Sequence, residues 1–295
     1  MARLAFLGNP HAAAICLESL ARAGHDIVLV VTAPDRRRGR GRAKTATAVK
    51  KAAMDLGLAV SERVEDVAGR NVELGVVVAF GTILGGEALA ALTFVNVHFS
   101  LLPRWRGAAP VERAILAGDL RTGVSLMRVE AGLDTGALYA SVSIPIGAHE
   151  SASSLTCRLA HLGADLLVDR FGCLPQSLGQ PSEQRGQATY AAKLVPDELR
   201  LDWSRPALEL ERVVRLGRAY TFWRGKRLVV TEALARDGSQ DVDGGGSRPG
   251  LLVGTAVSTG GGLIDLVSVK PAGRRLVPAE EWIRGVRPEE GELLG

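Results

Sequence analysis

The chain has 295 residues, 46% of them hydrophobic and 23% charged, which excludes a largely disordered protein. With 36 basic and 32 acidic side chains the net charge is +4, too small by itself to imply a nucleic-acid partner. Cys16, Cys157 and Cys173 form no CxxC pair and are odd in number, which argues against a disulfide scaffold and a structural zinc site. Their apolar, helix-like neighbours predict buried thiols.

The length predicts two domains. No apolar run of about 18 residues is present, so no membrane span is expected. The stretch before Leu4–Leu7 is too short for a signal peptide. A cytoplasmic protein is therefore expected, with no membrane partner and no metal.

Leu4–Leu7 predicts a strand, Ala12–Ala23 a helix and Ile27–Thr32 a second strand. A basic cluster follows, with Arg36, Arg37, Arg38, Arg40, Arg42 and Lys44 unbroken by any acid but interrupted by Gly39 and Gly41. It reads either as a solvated loop or as one that meets phosphates. Ala48–Leu56 predicts a helix, Leu74–Phe80 a very apolar strand, Phe94–Phe99 and Thr122–Glu130 further strands, and Ser153–Phe171 a long helix. This alternation predicts an α/β fold, a doubly wound and mostly parallel sheet with helices on both faces. Gly8-Asn9-Pro10 after the first strand is not G-x-G-x-x-G, which argues against NAD or FAD.

Pro175–Gln187 has the composition of a linker. Beyond it come one helix, Ala207–Leu216, and short strands at Arg227–Thr231, Gly250–Val257 and Leu263–Val269, with a flexible hairpin loop at Gly238–Gly250. That pattern predicts a smaller β-barrel domain. Trp203, Trp223 and Trp282 are expected to pack inside it, whereas Trp105 either stacks with Arg104 or Arg106 or fills the core. His25, His149 and His161 have no acidic partners at metal-ligand spacing.

The chemistry concentrates in Asn96-Val97-His98-Phe99-Ser100-Leu101-Leu102-Pro103, followed by Arg106-Gly107-Ala108-Ala109-Pro110. Residues two apart on a strand share a face, so Asn96 and His98 project together at its carboxyl end. An amide donor beside an imidazole suits a carbonyl oxygen that turns negative; the other reading is a satisfied structural pair. Asp134, in Gly132-Leu133-Asp134-Thr135-Gly136, either bonds its own turn or reaches His98 and orients it. Ser100 does not sit in a G-x-S-x-G elbow, so a serine hydrolase is set aside.

Asn-x-His-x-Ser-Leu-Leu-Pro, Arg-Gly-Ala-Ala-Pro, Thr-Gly-Val and Leu-Asp-Thr-Gly in this order resemble the folate-dependent formyltransferases, and within them the branch that formylates methionyl-tRNA. Pro34-Asp35-Arg36 with the basic cluster, Thr189–Leu194, Leu201–Ser204 and the stretch from Pro249 to Gly273 extend the likeness over nearly the whole chain. The resemblance implies a Rossmann-like domain over 1–186, an interdomain segment over 187–205 and an OB-like tRNA-binding domain over 206–295. It implies catalytic roles for Asn96, His98 and Asp134, and a loop, Ser100, Leu101, Leu102 and Pro103, that holds the donor 10-formyltetrahydrofolate. Arg40 and Arg42, with Arg36, Arg37, Arg38 and Lys44, would grip initiator methionyl-tRNA, the protein acting as a monomer. In formyl transfer, Asn96 and His98 would steady the oxyanion, and Asp134 would orient His98 and help move the proton lost by the attacking amine.

Some positions depart from the family pattern. Asn9 replaces Thr, Gly85-Gly86 stands where Leu-Pro or Pro is usual, Thr45-Ala46-Thr47-Ala48 replaces a proline-containing stretch, and the Asn-Pro-Trp-Pro motif is missing around Arg218–Trp223. Rival readings are an N-formyltransferase for an amino sugar or other small amine, a purine-pathway formyltransferase, and a non-catalytic tRNA-binding protein.

Overall fold

In the computed structural model, which describes residues 2–37, 44–172, 178–236 and 248–295, Leu4 to Leu7 are wholly out of water. That is the mark of a strand covered on both faces. This strand, β1 (Arg3–Gly8), leads into α1 (His11–Arg22) and β2 (Asp26–Val31). A Cβ on Gly8 would lie 2.7 Å from Ala13 Cβ, so only glycine lets the helix begin this close to the strand. Next come the two-residue strands β3 (Arg36–Arg37) and β4 (Lys44–Thr45), then α2 (Ala48–Asp55), whose first turn is capped by Thr47 Oγ1 accepting from Lys50 N at 2.9 Å. The first unit continues through β5 (Val60–Ser61), β6 (Leu74–Val78), α3 (Gly86–Ala91), β7 (Phe94–His98) and β8 (Arg106–Gly107). After α4 (Pro110–Ala117) come β9 (Arg121–Arg128), β10 (Leu138–Pro145), α5 (Ala152–Phe171) and β11 (Tyr190–Ala191).

The principal sheet runs β10-β9-β7-β6-β1-β2-β5. Its strands are parallel from β5 to β7, as the alternating pattern predicts, while β9 is antiparallel to both β7 and β10. Ala5, Leu7, Leu29, Val31, Val77 and Phe94 build the core on one side. Two small ribbons flank it: β3 with β4, antiparallel, and β8 with β11, parallel.

The remainder is a second sheet domain. It contains α6 (Ala207–Val214), β12 (Ala219–Trp223), β13 (Lys226–Arg236), β14 (Leu252–Val253), β15 (Ala256–Ser258), β16 (Leu263–Pro271), β17 (Val277–Pro278) and α7 (Ala279–Val286). Neighbours β12-β13-β16-β15-β14 are antiparallel, and β17 adds to β16. Trp203 and Trp282 lie in its core, and Trp223 meets Trp282 edge to face at 5.5 Å. Met1–Val111, Arg121–Pro145 and Thr156–Ala192 form one compact unit; Glu112–Leu120, Ile146–Leu155 and Lys193–Gly295 form the other.

Several expectations need correction. The strand expected over Gly250–Val257 is split into β14 and β15 by a turn at Gly254, φ 59°. The strand expected at Arg227–Thr231 runs on to Arg236. Pro175–Gln187 is not a plain linker, because Leu138 and Ser182 exchange backbone hydrogen bonds of 2.8 Å each way. Cys16 is buried, its thiol pushed up to about 12 chiefly by burial, but Cys157 is exposed on α5; Cys173 lies outside the described residues. His149 meets Glu211 Oε1 at 2.5 Å, 62 residues away in sequence and so not at metal-ligand spacing, which leaves its reading unchanged. Residues 238–247 of the expected hairpin loop are outside the described set. Among the described residues, no helix is long and apolar enough to cross a membrane.

Candidate active site

β7 ends at His98, at the carboxyl edge of the sheet, where α/β folds bind their ligands. Asn96 precedes it by two residues and so shares its face of the strand; Asn96 is half-buried, while His98 is only 6% exposed. His98 Nε2 stands 2.8 Å from the carbonyl oxygen of Trp105. A carbonyl only accepts, so Nε2 carries the proton of that bond. Nδ1 turns toward Asp134, 3.6 Å from Oδ2, which is ion-pair contact but longer than a hydrogen bond.

The carboxylate of Asp134 is held from a third segment. Its Oδ2 accepts the backbone N–H of Gly107 at 2.7 Å. The turn-residue reading of Asp134 is also correct in part, since its φ of 51° is left-handed, a conformation that Asp tolerates. Its side chain nevertheless bonds β8 instead of its own turn. Trp105 has a φ of 63° as well, and its N–H donates to Thr189 Oγ1 at 2.9 Å. Arg104 stacks on the Trp105 ring, 4.5 Å from its centroid. Positive φ at non-glycine residues is uncommon, and here it occurs at the residue whose carbonyl meets His98 and at its carboxylate partner.

The loop Ser100–Pro103 is tied inward. Ser100 is fully buried, and its hydroxyl donates to the Arg104 carbonyl at 2.6 Å. Ser125 Oγ accepts from Leu102 N at 3.1 Å and donates to the Ser100 carbonyl at 2.8 Å. Leu102 and Pro103 are buried, and Leu101 is half-buried. Asn9 joins three strand ends. Its Oδ1 accepts from Ala33 N at 2.7 Å and from Thr32 Oγ1 at 3.0 Å, and its Nδ2 donates to the carbonyl of Phe80.

A cavity of about 590 Å³ opens beside the segment that leads to Asp134. Leu89, Leu92 and Phe94 give it an apolar wall, Arg128 and Glu130 a polar edge. It is broadly open to solvent, and Asn96, His98 and Asp134 are not among its lining residues. Its walls come from two separate stretches, 86–94 and 128–131, so no single motif announces it. Of the basic cluster, Arg36 and Lys44 are exposed at the ends of the β3–β4 ribbon, and Arg37 belongs to β3; Arg38, Arg40 and Arg42 lie outside the described residues.

Comparison with known proteins is decisive at this point. Residues 2–171 match the formyl transferase family model, and residues 193–287 match the formyl transferase C-terminal domain. The chain belongs to the formyl transferase family. Two curated relatives, both named methionyl-tRNA formyltransferase, extend the match over the full length. That of Roseiflexus sp. (strain RS-1) is 40% identical over 314 residues, covering 99% of this chain and 95% of the relative. That of Halorhodospira halophila is 43% identical over 314 residues, covering 99% and 98%.

Solved structures share the fold of this formyltransferase at low identity. HypX from Aquifex aeolicus in complex with tetrahydrofolic acid matches with a TM-score of 0.67 at 14% identity, over 99% of this chain. The chain spans about half of HypX, 48% of its length. The methionyl-tRNA formyltransferase from Clostridium thermocellum matches with a TM-score of 0.57 at 15% identity, over 80% of this chain and 94% of that one.

Proposed function

We propose that this enzyme transfers the formyl group of 10-formyltetrahydrofolate to the α-amino group of methionyl-initiator tRNA, with Asn96, His98 and Asp134 as the reacting residues. The acceptor is supported by relatives of that name at about 40% identity along the whole chain. The single observation that carries the residue assignment is the approach of His98 Nδ1 to Asp134 at the end of the strand that also bears Asn96.

The chemistry follows from that arrangement. The methionyl amine adds to the formyl carbon, the carbonyl oxygen gains charge, and the bond to N10 of the folate breaks. One proton leaves the amine and one reaches N10, so protons balance. His98 Nε2 is engaged with Trp105, which leaves the Nδ1 side of the ring, toward Asp134, for the substrate. There His98, which must carry a proton on Nδ1 as well as on Nε2 to donate, holds the oxyanion together with the Asn96 amide, and Asp134 orients the imidazolium and moves the proton lost by the amine. No nucleophile from the protein is required.

The cavity flanked by Phe94 and Arg128 has the volume to take the flat bicyclic head of the folate. The buried side chains of Ser100, Leu102 and Pro103 shape the neighbouring loop, so its contribution to folate binding is largely through backbone. Arg36, Arg37, Arg38, Arg40, Arg42 and Lys44 position the acceptor end of the tRNA through its phosphates. The enzyme acts as a cytoplasmic monomer.

A formyl-transfer assay offering charged initiator tRNA and a nucleotide-linked amino sugar side by side tests the reading. Formylation of the tRNA with none of the sugar is expected. Preference for the sugar would replace it by the small-amine alternative, and failure to use 10-formyltetrahydrofolate at all would leave only a binding protein.

A further inference from the structure

Between α5 and β11, within the stretch whose composition reads as a linker, the side chain of Gln184 is half-buried and makes four hydrogen bonds. Its Nε2 donates to the carbonyl of Asp134 at 2.8 Å and to that of Gly136 at 2.9 Å. Its Oε1 accepts from Arg106 Nε at 3.1 Å and Nη2 at 2.6 Å. Both amide hydrogens and both oxygen lone pairs are thus used. The partners also settle which way the amide points, because a guanidinium only donates and a carbonyl only accepts.

These bonds fall where the backbone most needs them. Asp134 is held at φ 51°, a left-handed conformation that Asp tolerates but that is uncommon outside glycine, so bonds to its turn help to keep it there. The two carbonyls that Gln184 pins lie on either side of Thr135, so one side chain clamps the turn. Its other end rests on Arg106, next in sequence to Gly107, whose N–H holds Asp134 Oδ2. The backbone and the carboxylate of Asp134 are therefore anchored to the same short strand, β8. That strand is itself fixed by pairing with β11, which follows Gln184 in the chain.

We propose that Gln184 is a positioning residue for formyl transfer: by clamping the Asp134–Gly136 turn it keeps the Asp134 carboxylate facing His98. The inference rests on the reading of Asp134 as the reaction partner of His98. A displacement of about 1 Å at such a partner is enough to slow a reaction on the order of 100-fold. The contribution is to geometry alone, since Gln184 has no proton to exchange.

The test uses the full-length enzyme with 10-formyltetrahydrofolate and methionyl-tRNA. Gln184→Met keeps the volume and removes all four bonds. Gln184→Glu keeps an acceptor for Arg106 but sets oxygen against the two carbonyls. Both are expected to melt near the wild-type temperature and to lose about 10- to 100-fold in kcat with KM for both substrates unchanged. The pH profile of kcat should change with them, because it reports the facing of His98 and Asp134. In an Asp134→Ala background, Gln184→Met should cost nothing more.

Full turnover in both folded variants would overturn the proposal, as would a loss confined to KM or one that adds to that of Asp134→Ala. Unfolding of both variants would assign Gln184 to stability instead. If Asp134→Ala itself kept full turnover, the catalytic reading of Asp134 would fall and this proposal with it. A slow Asp134→Ala beside fast Gln184 variants would remove the Gln184 proposal alone.

Discussion

Asp134 Oδ2 lies 3.6 Å from His98 Nδ1 although the two residues are 36 positions apart, and each is fixed by a bond to β8 or the turn before it. Gly107 N–H holds the carboxylate, and the Trp105 carbonyl holds Nε2 of the imidazole. The ring therefore cannot turn about its long axis without losing the Trp105 bond. One nitrogen is committed to structure, and the other is presented, beside a carboxylate, on the strand face shared with Asn96. In the proposed reaction Nδ1 would donate from this fixed position once protonated, and a donor already in place need not reorganise as charge develops.

From this follows the first prediction. Asn96→Ala and His98→Ala should each lower kcat by about 10²–10³-fold, the usual effect of removing one oxyanion donor. KM for the folate should hardly move, since these contacts strengthen only in the transition state. Asp134→Asn keeps an oxygen for Gly107 but loses the charge, and should be slower by on the order of 10²-fold. Steady-state formylation assays decide it. Near-normal rates for both Asn96→Ala and His98→Ala would remove the assignment.

The basic cluster leads to a different signature. Arg40→Ala should raise KM for the tRNA much more than KM for the folate, because phosphate contacts position the acceptor end. A protein with fewer phosphate contacts also loses affinity less steeply as salt rises, by a slope of about 0.9 or less per contact removed. Measuring KM for tRNA across a salt series, with wild type and variant side by side, tests both parts. Equal losses toward the two substrates would reduce the cluster to a solvated loop.

Much of this was legible in the sequence for stated physical reasons. The apolar runs at Leu4–Leu7 and Leu74–Val78 are buried on both faces, as parallel strands must be, so their pattern is unambiguous. Asn96 and His98 were readable because a strand has a two-residue period. β10 was not readable, because at the sheet edge none of its residues is fully buried and Ser141 and Ser143 break its apolar run into single positions. Nor were the Trp105 carbonyl, the Gly107 N–H and the Asp134 turn, since backbone groups carry no side-chain signature and all three residues adopt positive φ. Gln184 was hidden for another reason: composition records that a stretch is polar, not what its polar groups bond.

Gly75 offers a test of packing behind the site. A Cβ there would stand 2.1 Å from Phe94 Cδ1 and 2.3 Å from Cε1, and the Phe94 ring is only 1% exposed, so the ring would have to shift within the core and against the cavity it lines. Gly75→Ala should cost about 1–3 kcal/mol, the usual penalty for overfilling a core. Phe94 also lines the cavity assigned to the folate, so KM for the donor should rise in the same variant. Urea denaturation and donor titrations check the two effects. A variant as stable as wild type would show that the ring can be displaced at no cost.

The second sheet domain supplies a pH-dependent prediction. Glu198 accepts from Arg113 Nη1 at 2.5 Å and Nη2 at 3.1 Å, and from Val195 N at 2.9 Å. The Arg113 bond, foremost, holds its carboxyl below the ordinary value of 4.5. Above that value the carboxylate is ionised whether the chain is folded or not, so the pair contributes in full. As pH falls below it, the unfolded chain takes up the proton first, and the contribution fades until it is lost below the folded-state pKa. Both side chains are partly exposed, at 19% and 34%, so the pair is worth at most about 1 kcal/mol. Unfolding free energies of wild type and Glu198→Gln should therefore differ at pH 7 and converge toward pH 3, whereas a constant difference across that range would mean that the ion pair contributes nothing.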